Sequence, residues 1–412
     1  MTGENCRICD KSLQHVFVDL GMSPIANDYV AADKANAMEP FYPLRVYVCD
    51  SCWLVQLPAA QSADNIFRED YAYFSSMSRS WLTHAKSYVD KVIDRFGIGT
   101  DHSVVEIASN DGYLLQYFHE RQVPVLGIEP CGNVAEAAEK IGVPSIVEFF
   151  GVDLATKLVA ERTKPDLVIG NNVLAHVPDL KDFVGGLKIL LADDGVITME
   201  FPHLQRLIDS NQFDTIYHEH FSYFSFIAVL NVFELHGLKI FDVEELPTHG
   251  GSLRIYGCHA DDDSKATTAA VTELRERETT AGFDDLAIYK GFEDKVERTK
   301  RELLKFLISA KEEGKTVVGY GAPAKGNTLL NYCGVRSDLL QYTVDMAPSK
   351  QNTLLPGVRI PVHKPDHIMK TKPDYVLILP WNIKDEIMNS MSEVREWGGR
   401  FLVPIPEVQL LD

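Results

Sequence analysis

Titratable side chains that suit proton transfer gather in the middle of the sequence. The run Tyr-His-Glu-His occupies residues 217–220, and two further histidines, His176 and His249, follow other predicted strands. The run does not match a zinc-binding helix, because such a helix needs its histidines one turn apart and these stand two residues apart. A lone histidine is more often a buried structural residue. Histidines that follow several strands of one sheet, as His176, His218, His220 and His249 do, favour catalysis.

Histidine suits the chemistry of carbon acids. Its ordinary pKa of about 6.5 lets it remove a proton from carbon at neutral pH when an adjacent carbonyl acidifies that carbon. A neighbouring carboxylate such as Glu219 would orient the imidazole or raise its basicity, and the hydroxyl of Tyr217 would stabilise a developing enolate oxygen. Together with a methyl donor, this cluster predicts C-methylation alpha to a ketone.

The methyl donor is indicated by a strand and turn that precede the cluster. The apolar strand 103–108 leads into the turn Ser109-Asn110-Asp111-Gly112 and a helix beginning near residue 113, and a second strand, 123–128, ends at Glu129. An acid in that position accepts hydrogen bonds from a ribose diol. A dinucleotide would need more glycines in the turn, and Glu106 would repel its pyrophosphate. A carboxylate suits a cationic ligand, and S-adenosylmethionine (SAM) carries a sulfonium and an ammonium group.

The turn resembles the glycine-rich first motif of SAM-dependent methyltransferases, in a variant with Ala108 and Asn110 where glycines are expected. The alternative is a catalytically silent α/β domain that uses these residues for turn geometry alone. The residues predicted to bind the cofactor are Glu106, Ser109, Asn110, Gly112, Glu129, Asn171 and Asn172.

Four of the seven cysteines form two Cys-x-x-Cys pairs near the start of the chain, Cys6 with Cys9 and Cys49 with Cys52. Two intervening residues let a tight turn direct both sulfurs at one tetrahedral ion, and four thiolates leave no open position. The pairs therefore predict structural zinc. Unrelated buried thiols and a redox pair remain as alternatives, although neither pair precedes the βαβ pattern typical of a redox motif.

The elements that must position these residues belong to the α/β class. Strands are predicted at 103–108, 123–128, 145–149, 166–170 and 195–201, each separated by helical sequence, as in a doubly wound sheet. The chain of 412 residues has room for two or three domains. We expect a zinc-binding domain at 1–72, a central Rossmann-like SAM-dependent methyltransferase domain at 73–285 and a C-terminal Rossmann-like α/β domain at 286–412.

The C-terminal third of the chain begins with helical sequence that spans residues 264–313, followed by a strand at 316–320 and the segment Gly-Ala-Pro-Ala-Lys-Gly-Asn at 321–327. Gly319-x-Gly321-x-x-Ala324 fits the dinucleotide template, with Asp345 ending the next strand, so NAD binding is an alternative. The proline and Lys325 favour a loop that presents a cation and backbone N–H groups to a phosphate. Trp381, after a strand at 374–379, either lines the same opening or serves only packing.

Charge and hydropathy exclude several classes of partner. Forty Lys and Arg against fifty-nine Asp and Glu give a net charge of −19, which disfavours nucleic acid and anionic membranes. No stretch has the length and hydropathy of a membrane span, and no secretory signal stands at the start. We expect a cytoplasmic protein with no obligate protein partner.

With all three regions in view, the chain resembles the nucleotide-diphosphate-hexose C-methyltransferases of unusual deoxysugar biosynthesis, which methylate C3 of a 4-keto sugar. The motifs that carry the likeness are Pro24-Ile-Ala-Asn27, Gln56-Leu57, Tyr71-x-Tyr73-Phe74-Ser75-Ser76, Glu106-x-x-Ser-Asn-Asp-Gly112, Asn172-x-x-x-His176, Tyr217-His-Glu-His220, His249-Gly-Gly-Ser-Leu-Arg254 and Gly321-Ala-Pro-Ala-Lys-Gly-Asn327. They span nearly the whole chain.

The resemblance implies a role for each matching residue. His220 is the expected base, and the residues expected around the sugar are Tyr71, His176, Tyr217 and Glu219. The residues expected to hold the nucleotide sugar are His249, Arg254, Lys325, Asn327 and Trp381. The nucleotide, the substituent at C3 of the sugar, the stereochemistry and the oligomeric state stay open. Three alternatives also remain: an NAD-dependent sugar-nucleotide oxidoreductase or epimerase, a sugar O- or N-methyltransferase, and a non-enzymatic module.

Overall fold

The computed structural model describes residues 4–60 and 74–412, so Tyr71 and Tyr73 lie outside the described residues. The predicted α/β class is confirmed: the described residues form an N-terminal antiparallel sheet, a central seven-stranded sheet and a C-terminal six-stranded sheet.

The N-terminal strands are β1 (His15–Ser23), β2 (Val30–Ala31), β3 (Tyr42–Val48) and β4 (Val55–Gln56). Strands β1, β3 and β4 pair antiparallel, and the cysteine pairs stand before β1 and between β3 and β4. Inward-facing side chains alternate with outward-facing ones along β3, which is typical of a sheet with one solvated face.

The central strands are β5 (Val104–Ile107), β6 (Val125–Ile128), β7 (Ser145–Ile146), β8 (Leu167–Asn171), β9 (Val196–Pro202), β10 (Ser222–Tyr223), β11 (Leu238–Leu246) and β12 (Ser252–His259). The order in the central sheet is β11-β12-β9-β8-β5-β6-β7, in which β5 to β9 run parallel. Strands β5 and β8 are buried along their whole length and, apart from Glu106 and Asn171, contain apolar residues or glycine, which is typical of parallel strands with both faces covered. Strand β10 is not part of this sheet and pairs instead with β4 of the N-terminal sheet.

The helices of this region are α1 (Arg79–Phe96), α2 (Leu115–His119), α3 (Gly132–Lys140), α4 (Val152–Glu161), α5 (Leu180–Leu190), α6 (Leu204–Asp209) and α7 (Phe226–Leu235). Ser78 caps α1 by accepting a hydrogen bond from the Trp81 N–H, and Gly97 ends it in the left-handed conformation. Between α6 and β10 lies the base loop, which we define as residues 210–221.

The C-terminal region starts with three helices, α8 (Ala269–Ala281), α9 (Leu286–Lys290) and α10 (Phe292–Glu312). The sequence suggested one long helical stretch here, but Gly282 takes a left-handed φ of 89° and ends α8. Other predicted bounds also shift: strand 145–149 shortens to Ser145–Ile146, and the helix expected near residue 113 begins at Leu115.

The remaining elements are β13 (Val317–Tyr320), α11 (Ala324–Cys333), β14 (Thr343–Val344), β15 (Thr353–Leu354), β16 (Val362–His363), α12 (Asp366–Thr371), β17 (Tyr375–Ile378), α13 (Lys384–Ser390), β18 (Arg400–Val403) and β19 (Gln409–Leu411). The sheet order is β16-β14-β13-β17-β18-β19, and β13 pairs parallel with β14 and β17. Strand β15 pairs with β2 in a separate two-stranded sheet, so the N-terminal region pairs with strands from both of the other regions.

Candidate active site

The two Cys-x-x-Cys pairs meet in space. The four sulfurs lie within 4.8 Å of one another, and Cys6 Sγ is 3.3 Å from Cys52 Sγ while Cys9 Sγ is 3.4 Å from Cys49 Sγ. Zn–S bonds of about 2.3 Å in a tetrahedron require sulfurs roughly 3.8 Å apart, so this set fits a zinc ion with a closed shell of ligands.

Arg7 connects this cysteine cluster to the base loop. Its guanidinium donates hydrogen bonds to the carbonyls of Leu57 (2.7 Å), Phe221 (3.1 Å) and Pro178 (3.0 Å). Phe221 follows His220 directly, and its own carbonyl also accepts from the Leu57 N–H at 2.9 Å. The N-terminal domain therefore holds one end of the base loop in place.

The turn after β5 has the backbone of a glycine-rich loop even though most of its glycines are replaced. Ala108, Asn110 and Gly112 all take left-handed φ angles, of 55°, 50° and 76°. Asparagine tolerates this region, whereas alanine there costs about 1–2 kcal/mol. The strain at Ala108 is held by the surrounding structure, and such strain is typical of functional turns.

Acceptor atoms without a protein donor face this turn. Burial raises the pKa of Glu106 well above its ordinary value, although the nearby Tyr113 hydroxyl favours the charged form, and both carboxylate oxygens are buried with no hydrogen-bond partner among the described residues. Ser109 Oγ, Asp111 Oδ1 and Asn171 Oδ1 are also buried with no partner among the described residues. A ligand rich in donors and carrying positive charge satisfies such a set, and SAM brings an ammonium, a sulfonium and ribose hydroxyls. The residues fit the predicted cofactor.

Glu129 stands at the end of β6, as the sequence predicted, but its carboxylate also serves the protein. It accepts from the N–H groups of Asn110 (3.0 Å) and Cys131 (2.9 Å), and burial raises its pKa. Each carboxylate oxygen has a second lone pair, so a ribose diol remains compatible with these bonds.

The histidines that follow β8 and enter the base loop come together. The ring centroid of His220 is 4.6 Å from that of His176 and 4.0 Å from that of Tyr217. Nearby, the Asn172 Nδ2 and His249 Nε2 atoms are 3.2 Å apart. These residues come from three separate chain segments, and we refer to His176, Tyr217, His220 and His249 as the base cluster.

The environment of the cluster keeps its imidazoles neutral. Burial, followed by the neighbouring His176, lowers the pKa of His220 well below its ordinary value. Burial likewise lowers the pKa values of His176 and His249 to about 4. His220 Nδ1 is 2.8 Å from the Thr215 carbonyl, so it carries the proton and Nε2 keeps its lone pair.

Two members of the Tyr-His-Glu-His run take other positions than the sequence suggested. His218 points away from the cluster: it is buried against Tyr42, and its Nε2 lies 3.3 Å from the Pro43 carbonyl. The carboxylate of Glu219 accepts from Asn27 Nδ2 at 2.7 Å, and burial raises its pKa to about 7. The Thr215 carbonyl, not the Glu219 carboxylate, therefore orients His220.

The C-terminal domain adds a second polar group of residues. Trp381 Nε1 donates to Asp214 Oδ2 of the base loop at 2.7 Å, and Lys325 Nζ lies 4.4 Å from the centroid of the Trp381 ring. Lys325 also donates to Asn382 Oδ1. Burial raises the pKa of Asp214 to about 6 and lowers that of Lys325 to about 8, and the Lys325 charge contributes to the low pKa of His249. We refer to Asp214, Lys325 and Trp381 as the lysine cluster.

Two predicted substrate residues are engaged by the protein itself. Arg254 on β12 is buried, with Nη2 at 2.5 Å from Glu200 Oε2 and Cζ at 4.4 Å from the centroid of Tyr88. Asn327 is buried in α11 and donates to the Ala26 carbonyl at 2.7 Å. These contacts assign Arg254 to the support of Glu200 and Asn327 to the junction with the N-terminal domain.

Several residues of the site escaped the sequence analysis. His84 and Trp81 lie on α1, and His84 Nε2 is 2.8 Å from Glu200 Oε2 at the end of β9. Asp214 is a single aspartate within a loop, and nothing in the local sequence distinguishes it. The Asn27 motif was visible as part of the family likeness, but its bond to Glu219 joins residues 192 positions apart.

The fold and the site define a SAM-dependent methyltransferase, with a donor-poor crevice for the cofactor beside a cluster of neutral histidines. Three family profiles match the chain in succession: a zinc binding domain at residues 6–67, a methyltransferase domain at 81–243 and a C-methyltransferase C-terminal domain at 247–406.

The chain belongs to the C-methyltransferase family. It is 36% identical to the C-methyltransferase NovU of Streptomyces niveus over 408 residues, which cover 99% of this chain and 97% of the relative. The predicted enzyme class is therefore confirmed, as are the two cofactors, SAM and zinc.

Solved structures resemble the chain more distantly. The magnesium protoporphyrin IX methyltransferase ChlM from Synechocystis PCC 6803, solved with bound SAM, is 12% identical and covers 49% of this chain and 100% of that chain, with a TM-score of 0.38. A SAM-dependent methyltransferase from Thermotoga maritima is 18% identical and covers 48% of this chain and 99% of that chain, with a TM-score of 0.37. Within residues 4–60 and 74–412, no helix combines the length and hydropathy that crossing a membrane requires.

Proposed function

We propose that this C-methyltransferase methylates C3 of a nucleotide-linked 4-keto-deoxyhexose, with His220 as the base that removes the alpha proton. The observation that carries the proposal is the placement of His220: its Nδ1 faces the Thr215 carbonyl, and its ring contacts His176 and Tyr217. The family likeness of the motifs supports the sugar as substrate.

The electrostatics of His220 suit this step. A group with a pKa well below 6.5 is unprotonated at neutral pH, so its Nε2 lone pair is available without a prior loss of a proton. Such a base is weak in the free enzyme. A bound diphosphate brings negative charge near the cluster and raises the basicity of the imidazole when it is needed.

The proton balance of the first step is simple. The C3–H bond breaks, its proton moves to His220 Nε2, and its electron pair passes through C3 to the C4 carbonyl oxygen, which becomes an enolate. Tyr217 and His176, both in ring contact with His220, are placed to stabilise that oxygen by hydrogen bonds. Tyr71, which the family likeness adds to this group, lies outside the described residues.

The cofactor side is assigned to the turn after β5. Glu106, Asn171 and Glu129 would hold SAM, with Ser109, Asn110, Gly112 and Asn172 shaping the crevice. When bound there, SAM supplies an electrophilic methyl group for the carbon that the base has activated.

The nucleotide side is assigned to the lysine cluster and His249. The protein has a net charge of −19, so a diphosphate needs a local cation, and Lys325 in the first turn of α11 provides one near the helix N-terminus. Trp381 offers an aromatic face in the same place. We leave Arg254 and Asn327 out of this assignment because Arg254 already pairs with Glu200 and Asn327 already donates to the Ala26 carbonyl. The use of cysteines for a metal site rather than for disulfides favours a cytoplasmic location.

Deuterium exchange tests the base. A 4-keto-hexose nucleotide incubated in deuterated water with the wild-type enzyme should incorporate deuterium at C3, as read by NMR. His220→Asn should stop the incorporation and keep the affinity for S-adenosylhomocysteine (SAH). His218→Asn is the matched control, because His218 belongs to the same run and faces away from the cluster; it should still exchange.

The outcomes separate the alternatives. Undiminished exchange in His220→Asn would overturn the base assignment. A wild-type enzyme that shows no exchange and places its methyl group on oxygen or nitrogen would be a heteroatom methyltransferase, which requires no ketone.

A further inference from the structure

Trp81 lies in the first turn of α1, where the indole ring is only half-buried and contacts residues from both sides of the site. Its ring centroid is 6.0 Å from that of Tyr113 and 5.2 Å from that of His249. The His84 ring stacks on the indole at 5.0 Å. Neither the predicted cofactor set nor the predicted substrate set contained this residue.

Two of the neighbours of Trp81, Tyr113 and His249, lie in different parts of the candidate site. The Tyr113 hydroxyl favours the charged form of Glu106 and accepts from Asn171 Nδ2 at 3.5 Å, so Tyr113 belongs to the cofactor crevice. His249 contacts Asn172 and belongs to the base cluster. Trp81 therefore lies at the boundary between the cofactor crevice and the base cluster.

The position of Trp81 is fixed to the cofactor turn. Just before α1, the Ser75 N–H donates to Asn110 Oδ1 at 2.9 Å and the Ser76 N–H donates to Asp111 Oδ2 at 3.1 Å. The start of α1 is thus hydrogen-bonded to the turn that begins the cofactor site. The half-buried indole is therefore held beside the cofactor turn, and a tryptophan ring loses little conformational entropy when it is fixed there.

We propose that Trp81 binds the sulfonium group of SAM through a cation–π interaction. The sulfonium carries the methyl group, so it must lie between the ammonium end of the cofactor, which Glu106 attracts, and the sugar carbon beside the base cluster. Trp81 bridges these two places, and tryptophan is the strongest partner of a cation among the aromatic side chains.

The interaction would also aid turnover. Methyl transfer converts the sulfonium to the neutral thioether of SAH, which removes the charge that the indole face attracts. The product is then held less tightly than SAM on that face. The place given to the sulfonium rests on the proposed function, but the test measures cofactor binding alone and requires neither the sugar nor the base.

Calorimetric titration with SAM and with SAH, in the absence of any sugar, tests this proposal on the full chain. Trp81→Leu should lower the ratio of SAM affinity to SAH affinity at least about fivefold, within the range of a partly desolvated cation–π pair. Trp81→Phe keeps an aromatic face and should restore much of the ratio. Trp397→Phe, a change at a half-buried tryptophan just before β18, is the matched control and should leave the ratio unchanged.

Fluorescence gives a second readout. SAM should quench the tryptophan emission of the wild type more strongly than that of Trp81→Phe. Equal losses of SAM and SAH affinity in Trp81→Leu would show that Trp81 makes only apolar contacts, with no preference for the charged cofactor, and would overturn the proposal. Unchanged affinities for both ligands would overturn it as well. If Trp81→Leu fails to fold, Trp81→Phe still decides, because SAM quenching as strong as that of the wild type would show that Trp81 does not contact the cofactor and would refute the assignment.

Discussion

The carboxylate of Glu278 joins the two ends of the segment that carries the base loop. It lies fully buried on α8, 2.7 Å from His203 Nε2 at the end of β9. It also accepts from the N–H groups of Phe226 (2.7 Å) and Ile227 (2.8 Å) at the start of α7. The residues between these anchor points include the base loop with His220. Removing the charge of Glu278 should therefore destabilise the fold and loosen the position of His220.

The size of the effect follows from the three hydrogen bonds. In Glu278→Gln, the amide oxygen still accepts from two donors, while the amide NH2 group faces the third N–H. One buried donor left without a partner costs about 1–3 kcal/mol, and the other two bonds lose their charge assistance. We expect a loss of about 3 kcal/mol in the free energy of unfolding. At about 2–4 °C per kcal/mol for a unit of about 200 residues, Tm should fall by roughly 6–12 °C.

Urea and thermal unfolding measure this loss, and Glu276→Gln provides the matched control. Glu276 is exposed on the same helix, two residues away, and its change should stay within about 0.5 kcal/mol. Hydrogen exchange should accelerate in residues 203–226 of Glu278→Gln and leave β5 protected. A Glu278→Gln variant as stable as Glu276→Gln would refute the reasoning.

Three other variants test separate features. Burial lowers the pKa of His176 to about 4, so below pH 6.5 the unfolded chain binds more protons than the folded chain, and the free energy of unfolding decreases as the pH falls. Part of the decrease between pH 7 and pH 5, up to about 2 kcal/mol, comes from His176 and should be absent in His176→Gln. An unchanged pH dependence would contradict the burial of a neutral His176. Cys52→Ser should lower the zinc content, measured by elemental analysis, from about one ion per chain to near zero. The control Cys333→Ser, at a cysteine remote from the cluster, should keep the zinc. Retained zinc in Cys52→Ser would exclude the four-sulfur site. In Gly250→Ala, the added Cβ would stand 2.8 Å from Trp381, at a residue whose φ is 91°. Because the change should displace Trp381, the KM for the sugar nucleotide should rise more than kcat falls. Unchanged kinetics would remove Trp381 from the proposed substrate site.

The sequence predicted the features that depend on local pattern. The strand predicted at 103–108 is present at Val104–Ile107, and it could be predicted because buried parallel strands are mostly apolar. The four cysteines come together as predicted, because the Cys-x-x-Cys spacing directs two sulfurs to one side. The helical stretch 264–313 was predicted as one unit and is broken at Gly282. Composition shows helical tendency there, but a left-handed glycine decides where a helix ends.

The site was predicted only in part, because side-chain direction in a loop has no fixed period. His218 and His220 are two residues apart, yet one faces Pro43 and the other faces His176. Arg254 was expected to meet a phosphate, but strand pairing places it opposite Glu200.

By itself, the sequence determined the α/β class, the zinc ligand set, the cofactor turn and the residue types of the base cluster. Only the tertiary structure decided which acceptor orients His220, which carboxylate neutralises Arg254 and that Trp81 lies between the cofactor crevice and the base cluster. The physical reason is that propensity and spacing act over a few neighbouring residues, whereas burial, hydrogen-bond partners and pKa values depend on groups that folding brings together from distant parts of the chain.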